Sequence, residues 1–120
     1  MTYTISLPWA IRLTANESLH WRAKAKKVAH IRQFVGLLVK PVDGPVTHAE
    51  VWLNVYPPDR RRRDADNFFP TLKAACDAIC YALPSLPDDT PQYMTKHMPV
   101  ICEPDSVRPR MELVYEVNGG

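Results

Sequence analysis

Three stretches of the chain alternate apolar and polar side chains, the pattern of strands that bury one face. They are residues 3–7, residues 49–56 and residues 110–117. A further stretch, residues 92–101, follows a proline-rich segment and is also predicted to be a strand. The pattern therefore predicts a sheet of four strands, two of which lie close together at the end of the chain.

Two longer stretches have the periodicity of amphipathic helices. In residues 18–40, apolar side chains recur at spacings of three, four or seven, and basic side chains occupy much of the remaining surface. Residues 68–83 carry a second apolar stripe, with Asn67 as the expected N-cap and Pro70 in the first turn. The order β-α-β-α-β-β predicts an α+β fold, a small mixed four-stranded sheet with two main helices packed on one face.

Length and composition indicate one ordinary globular domain. A chain of 120 residues is the usual size of a domain, so residues 1–120 are expected to share one core. An apolar content of 46% and a charged content of 23% argue against a disordered chain. Three cysteines, the lack of a signal peptide and the lack of a membrane-spanning apolar run lead us to expect a cytoplasmic protein.

Positive charge is concentrated in two places, although the net charge is only +2. Residues 20–40 hold six lysines and arginines and no acid, and residues 60–63 are four consecutive arginines. Both regions are candidate contacts for DNA phosphates. The candidate residues are Lys24, Lys26, Lys27, Arg60, Arg61, Arg62 and Arg63. The alternative for the first region is an ordinary exposed helix face.

Acidic residues follow the arginine run directly. In an extended backbone, Asp64 and Asp66 would project to the same side, because side chains two residues apart share a face. Paired carboxylates of this kind suit Mg²⁺, which prefers oxygen ligands. The alternative is a solvated loop of surface ion pairs, and the segment alone does not separate the two. Asp88 and Asp89 form a second acidic spot, for which turn residues are the alternative explanation.

The arginine run and the acidic residues together resemble the RusA family of Holliday-junction resolvases. The resemblance rests on Pro58 to Asn67, on the segment Leu72 to Ala78 and on Asp88-Asp89, and it extends to Ile5 to Trp9 near the start. It covers nearly the whole chain. The arginine run joined to Asp-x-Asp-Asn is its most specific element.

The resemblance implies a homodimeric enzyme that acts in bacterial cells and is of bacterial or phage origin. It also implies that this enzyme nicks two strands of a four-way DNA junction symmetrically, with Mg²⁺ or Mn²⁺ as cofactor. It also implies that Asp64, Asp66 and Asp89 bind the metal and that Lys73 is needed for cleavage. The resemblance further implies that Arg63 contacts DNA. Lys73 would either stabilise charge on the phosphate or help to activate water, and its structural alternative is an ion pair with Asp77 four residues later.

The chain departs from the family pattern at Phe68-Phe69-Pro70, which stands as an insertion before the lysine, and around Leu13 to Asn16. Two other functions compete with the junction resolvase. One is a DNA-binding protein without catalytic activity, and the other is a metal-dependent nuclease of different DNA specificity. Metal-dependent nicking of DNA would exclude the DNA-binding protein without catalytic activity. Cleavage of four-way junctions in preference to linear duplex would exclude the nuclease of different specificity.

Overall fold

A computed structural model describes residues 1–42 and 44–118. Its principal elements, numbered in chain order, are five strands and two α-helices, with two short 3₁₀ turns at Trp9–Ile11 and Ala65–Phe68. The strands are β1 (Thr2–Pro8), β2 (His48–Tyr56), β3 (Met94–Lys96), β4 (Val100–Ile101) and β5 (Arg110–Asn118). The helices are α1 (Trp21–Leu38) and α2 (Phe69–Ala82). The α+β class is confirmed.

The sheet is mixed, with the order β1-β5-β2-β3, and β4 also pairs with β2. β5 lies antiparallel between β1 and β2, and the short strands β3 and β4 run parallel to β2. In β2, every second residue from Ala49 to Val55 is fully buried, as the alternation predicts. The same face of β5 buries Leu113 and Tyr115, and both helices contribute side chains to this core.

The prediction of a single strand over residues 92–101 is wrong, and the sheet has five strands instead of four. Val51 of β2 pairs with Lys96 of β3, and Asn54 of β2 pairs with Val100 of β4. The segment from Lys96 to Val100 therefore has one more residue than the stretch of β2 opposite it. Pro99 lies in this gap and has no backbone N–H to donate to the ladder. The extra residue and the missing donor account for the break between β3 and β4.

Both helices begin later than the apolar periodicity predicts. α1 begins at Trp21, after His20, whose side chain accepts a hydrogen bond from the Arg22 N–H at 3.2 Å. α2 begins at Phe69 with Pro70 in its first turn, but Asn67 is not its N-cap. Asn67 lies instead within the preceding 3₁₀ turn. Neither helix is long and apolar enough to cross a bilayer, and no other helix in residues 1–42 and 44–118 is.

A buried hydroxyl joins the loop after the first 3₁₀ turn to α2. Thr71 is fully buried, and its Oγ1 donates to the Leu13 carbonyl at 2.7 Å and accepts from the Leu13 N–H at 2.9 Å. A backbone bond from the Ala15 N–H to the Asn67 carbonyl, 2.8 Å long, lies beside it. These bonds hold residues 12–16 against the start of α2.

Replacement of Thr71 by valine should therefore destabilise the fold. Valine has nearly the same shape but leaves the Leu13 N–H and carbonyl without their buried partner, which should lower the free energy of unfolding by about 1–3 kcal/mol. Urea unfolding followed by circular dichroism measures this change. Thr71→Ser, which keeps the hydroxyl, is the control and should retain most of the stability. Equal losses in the two variants would contradict this prediction, since they would show that the methyl group matters as much as the hydrogen bonds.

Candidate functional site

The segment between β2 and α2 is folded around one arginine. The Asp59 carboxylate accepts hydrogen bonds from the Arg61 N–H and from the Arg63 guanidinium, both at 2.9 Å. These two donors hold the pKa of Asp59 below its usual value, the backbone N–H having the larger effect. The Arg63 guanidinium also donates to the carbonyls of Asp59 and Arg61, and its side chain is only 15% exposed. Arg63 thus shapes the loop through its Nη1.

The other three arginines of the run are exposed. Arg60 forms an ion pair with Glu103 at 3.0 Å, in which both side chains are about 80% exposed. The Arg62 Nε lies 3.9 Å from Asp64, and Arg61 forms no ion pair with any residue that the structure describes. Because exposed ion pairs are weak, these guanidiniums remain available to an anionic ligand.

Asp64 and Asp66 are both exposed, but the backbone between them is not a strand. Asp64 is extended, with φ −91° and ψ 133°, and a 3₁₀ turn begins at the next residue, Ala65. The extended geometry from which we predicted that the two carboxylates project together therefore ends at Asp64. The two side chains remain exposed oxygen donors two residues apart, immediately before α2.

Asp89 is held by two lysines. Its Oδ2 accepts hydrogen bonds from Lys73 of α2 and from Lys96 of β3, the latter at 2.7 Å, and its side chain is 15% exposed. Burial raises the pKa of Asp89, but the two lysines outweigh it and bring the pKa down to about 2. Lys73 also donates to Asp77 at 2.9 Å. Burial lowers the pKa of Lys73, yet the two carboxylates outweigh it and raise that pKa above its usual value.

The structure thus joins two of the segments predicted to share a site. Lys73 and Asp89 are 16 residues apart and in direct contact, and the predicted pair of Lys73 with Asp77 is present as well. The three aspartates do not form a ready cage. Within residues 1–42 and 44–118, no group of three or more histidine, cysteine, aspartate or glutamate side chains is arranged to hold a metal ion. Exposed carboxylates such as Asp64 and Asp66 have the donor chemistry that Mg²⁺ prefers, but the expected three-carboxylate arrangement is not assembled.

The basic side chains of α1 divide into two groups. Lys24 and Lys26 are exposed on its surface. Lys27 instead pairs with Glu17 at 2.5 Å and reaches the Arg12 carbonyl at 3.4 Å. It therefore braces the loop before α1, and its contact with DNA stays a prediction.

The sequence did not single out Lys96, Trp9 or Arg12, which all lie at or near this site. Lys96 is close to Asp89 because β3 pairs with β2 in parallel, and nothing in the local sequence reveals that pairing. Arg12 lies over the Trp9 ring, 4.4 Å from its centroid, in a loop whose path is fixed by Thr71. An arginine three residues after a tryptophan was the only available sign.

The cysteines are not disulfide-bonded. All three are free thiols, and Cys76 is buried in the core. Burial raises the pKa of Cys76 to about 12 and that of Cys80 to about 11. Both thiols are therefore protonated at neutral pH and are poor metal ligands or nucleophiles.

The comparisons with known proteins assign no family to this chain. No protein-family model matches the sequence. A protein of Xylella fastidiosa described as "Uncharacterized protein" is 29% identical over 90 residues, which cover 67% of this chain and 57% of the relative. The matched region is thus little more than half of the relative's length, and the similarity supplies no activity.

The lysine contacts of Asp89 should make stability depend on pH in the acid range. Since the pKa of Asp89 is about 2 in the folded protein and near its usual value in the unfolded chain, the charged carboxylate stabilises the fold above about pH 4. This contribution should be lost as the pH falls from about 4 to 2. Urea unfolding at pH 6, 4 and 2.5 should show wild type more stable than Asp89→Asn at the higher pH values, with the gap closing at the lowest. A gap that is constant with pH would contradict the assignment.

Proposed function

We propose that this protein is a metal-dependent endonuclease that cuts branched DNA, a Holliday-junction resolvase of the RusA type. The observation that supports this best is the contact between Lys73 and Asp89. It joins the helix that follows the Asp64–Asp66 pair to the acidic loop, the two segments that the resemblance assigns to a single active site.

The DNA backbone would bind along the arginine run. Arg61 and Arg62 are exposed beside Asp64, and a guanidinium can grip a phosphate through two parallel hydrogen bonds. Exposed Lys24 and Lys26 on α1 add positive charge for the arms of a junction. Such contacts release counterions from DNA, so binding should weaken as salt increases.

Asp64, Asp66 and Asp89 are the residues that would hold Mg²⁺ or Mn²⁺. The bound ion supplies activation of water and stabilisation of the leaving oxyanion in hydrolysis of a phosphodiester. Asp64 and Asp66 offer exposed oxygens at the end of the arginine run, where a bound backbone would pass. Asp89, with its low pKa, is a carboxylate throughout the physiological range.

Lys73 is better suited to stabilise charge than to act as a base. Two carboxylates raise its pKa, so its ammonium stays protonated at neutral pH. A protonated lysine can donate to a phosphate oxygen but cannot remove a proton from water. We infer that Lys73 orients Asp89 and donates to the substrate. A two-fold dimer of this chain would present two such sites to two equivalent strands, which accounts for paired nicks.

A DNA-binding protein without catalytic activity is the second candidate. The observation in its favour is that no three-ligand group is assembled among residues 1–42 and 44–118. In that case the arginines would grip phosphate, and the aspartates would only balance charge.

Nicking of a labelled four-way junction by purified protein, in Mg²⁺ and in EDTA, tests the proposal. Wild type should nick the junction in Mg²⁺ only, and linear duplex much less. Asp66→Asn should reduce the rate roughly 100-fold or more, since the charge stabilisation provided by a metal is worth several kcal/mol. The same variant should bind the junction at least as well as wild type.

Glu116→Gln is the matched control, because it removes one carboxylate from the end of β5 and should leave nicking unchanged. Binding of the junction without nicking in Mg²⁺ by the wild-type protein would favour the second candidate. Full activity of Asp66→Asn would exclude Asp66 from the metal site.

A further inference from the structure

A basic cleft of about 380 Å³ lies between the first 3₁₀ turn and the arginine run. Its walls carry the guanidiniums of four arginines and a single carboxylate, that of Asp64. The arginines are Arg12, Arg61, Arg62 and Arg63. Asn16 and Asn67 line the cleft as well and add uncharged amide groups. The excess of positive charge indicates an anionic ligand.

Trp9 is the platform on which two of these arginines are arranged. The Arg12 guanidinium lies 4.4 Å from the centroid of its ring and that of Arg63 lies 5.5 Å away. The ring itself packs against buried Phe68, at 5.9 Å between centroids. Cation–π contacts of this kind fix the planes of the guanidiniums without neutralising their charge.

Arg12 keeps most of its hydrogen-bonding capacity for a ligand. Its Nη1 donates to the Trp9 carbonyl at 2.9 Å, and it forms no ion pair with any side chain in the described ranges 1–42 and 44–118. The guanidinium has five N–H donors, so several remain for an oxyanion. Arg63, by contrast, is ion-paired with Asp59, and its Nη1 makes three hydrogen-bond contacts within its own loop. Arg12 is therefore the binding group and Arg63 the supporting one.

The loop that carries Arg12 is held in place before any ligand arrives. Lys27 donates to the Arg12 carbonyl. The N–H and the carbonyl of the next residue, Leu13, are both hydrogen-bonded to the Thr71 hydroxyl. Binding then costs little ordering of the backbone, which favours affinity.

We propose that Arg12 and Arg61 grip a backbone phosphodiester of a nucleic-acid strand that continues past Asp64, with Trp9 as the platform for Arg12. Arg63 is paired with Asp59 and Arg62 lies near Asp64, so Arg12 and Arg61 are the cleft arginines without an acidic partner among the described residues. Because Arg61 belongs to the exposed run from Arg60 to Arg62, a strand that continues along this run fits the cleft better than a free phosphate ion. This inference rests on the proposed function in taking DNA as the ligand, but it does not require that the protein cleave DNA.

Binding of a fluorescent four-way junction to the full chain in EDTA, over a series of KCl concentrations, tests this subsite. Arg12→Gln should weaken binding roughly tenfold, as expected for loss of hydrogen bonds to a charged group. It should also reduce the slope of log Kd against log salt concentration by about 1, the effect of one phosphate contact. Arg12→Lys keeps the charge but loses the planar, forked arrangement of donors, so its affinity for the junction should lie between those of wild type and Arg12→Gln.

Arg108→Gln is the matched control, since it removes the same charge from an exposed loop outside the cleft and should change neither quantity much. Urea midpoints of both variants check that the fold is intact. If Arg12→Gln does not fold, Arg61→Gln tests the same subsite from a side chain that is exposed and unpaired among the described residues. Equal effects of Arg12→Gln and Arg108→Gln would overturn the proposal.

Titration with inorganic phosphate distinguishes a phosphodiester of the DNA backbone from a free phosphate ion as the ligand of this cleft. Weak phosphate binding together with tight, Arg12-dependent junction binding supports the proposal. Arg12-dependent binding of phosphate with no binding of DNA would overturn it. Arg12-dependent junction binding without nicking in Mg²⁺ would leave this subsite supported while removing the nuclease function.

Discussion

The placement of the candidate site depends on a single buried hydroxyl. Thr71 is the buried polar residue of the described core, and its two hydrogen bonds satisfy both backbone groups of Leu13. An unpaired N–H or carbonyl at that depth would be costly, so the loop has little freedom to take another path. As a result, Trp9 and Arg12 face the arginine run, and the cleft forms between segments that are about 50 residues apart in the chain.

The helix α2 organises the site because its successive residues face different parts of the molecule. Thr71 points inward to the N-terminal loop, while Lys73, two residues later, points outward to Asp89. Asp64 and Asp66 precede the helix by only a few residues. The first turns of one helix thus connect the basic cleft, the exposed carboxylates and the acidic loop. A helix suits this task because residues two apart lie on nearly opposite sides of it.

Local sequence predicted the elements whose pattern is set by burial on one face. β2 and β5 pair along their whole length and alternate as expected, because each contributes one face to the core. The split of residues 92–101 was not predicted, since it depends on a register with β2 that the local sequence does not contain. The extended backbone was wrongly assumed to continue to Asp66, because a 3₁₀ turn begins after Asp64 and Phe68 at its end packs into the core.

Residues of the candidate site could be proposed from the sequence where they lie within one short segment. They could not be proposed where the fold brings them together from distant segments. The arginine run and its aspartates could be identified from their spacing, and the pair of Lys73 with Asp77 from the helical period. Lys96 and Arg12 reach the site through a parallel strand pair and through a loop fixed by hydrogen bonds. The strand pairing that places Lys96 leaves no mark on the nearby sequence, and the only local sign for Arg12 is its spacing of three residues from Trp9.

The hydrogen bonds of Asp89 bear on how a cation could join this site. Both ammonium groups bind the same oxygen, Oδ2, and Oδ1 has no hydrogen bond from any residue in the described parts of the chain. Because a carboxylate can accept at both oxygens, Asp89 could keep its lysines through Oδ2 and offer Oδ1 to a metal ion. The lysines would then fix the carboxylate without competing for the same oxygen. On the proposed function, they are better understood as partners that orient a metal ligand than as obstacles to cation binding.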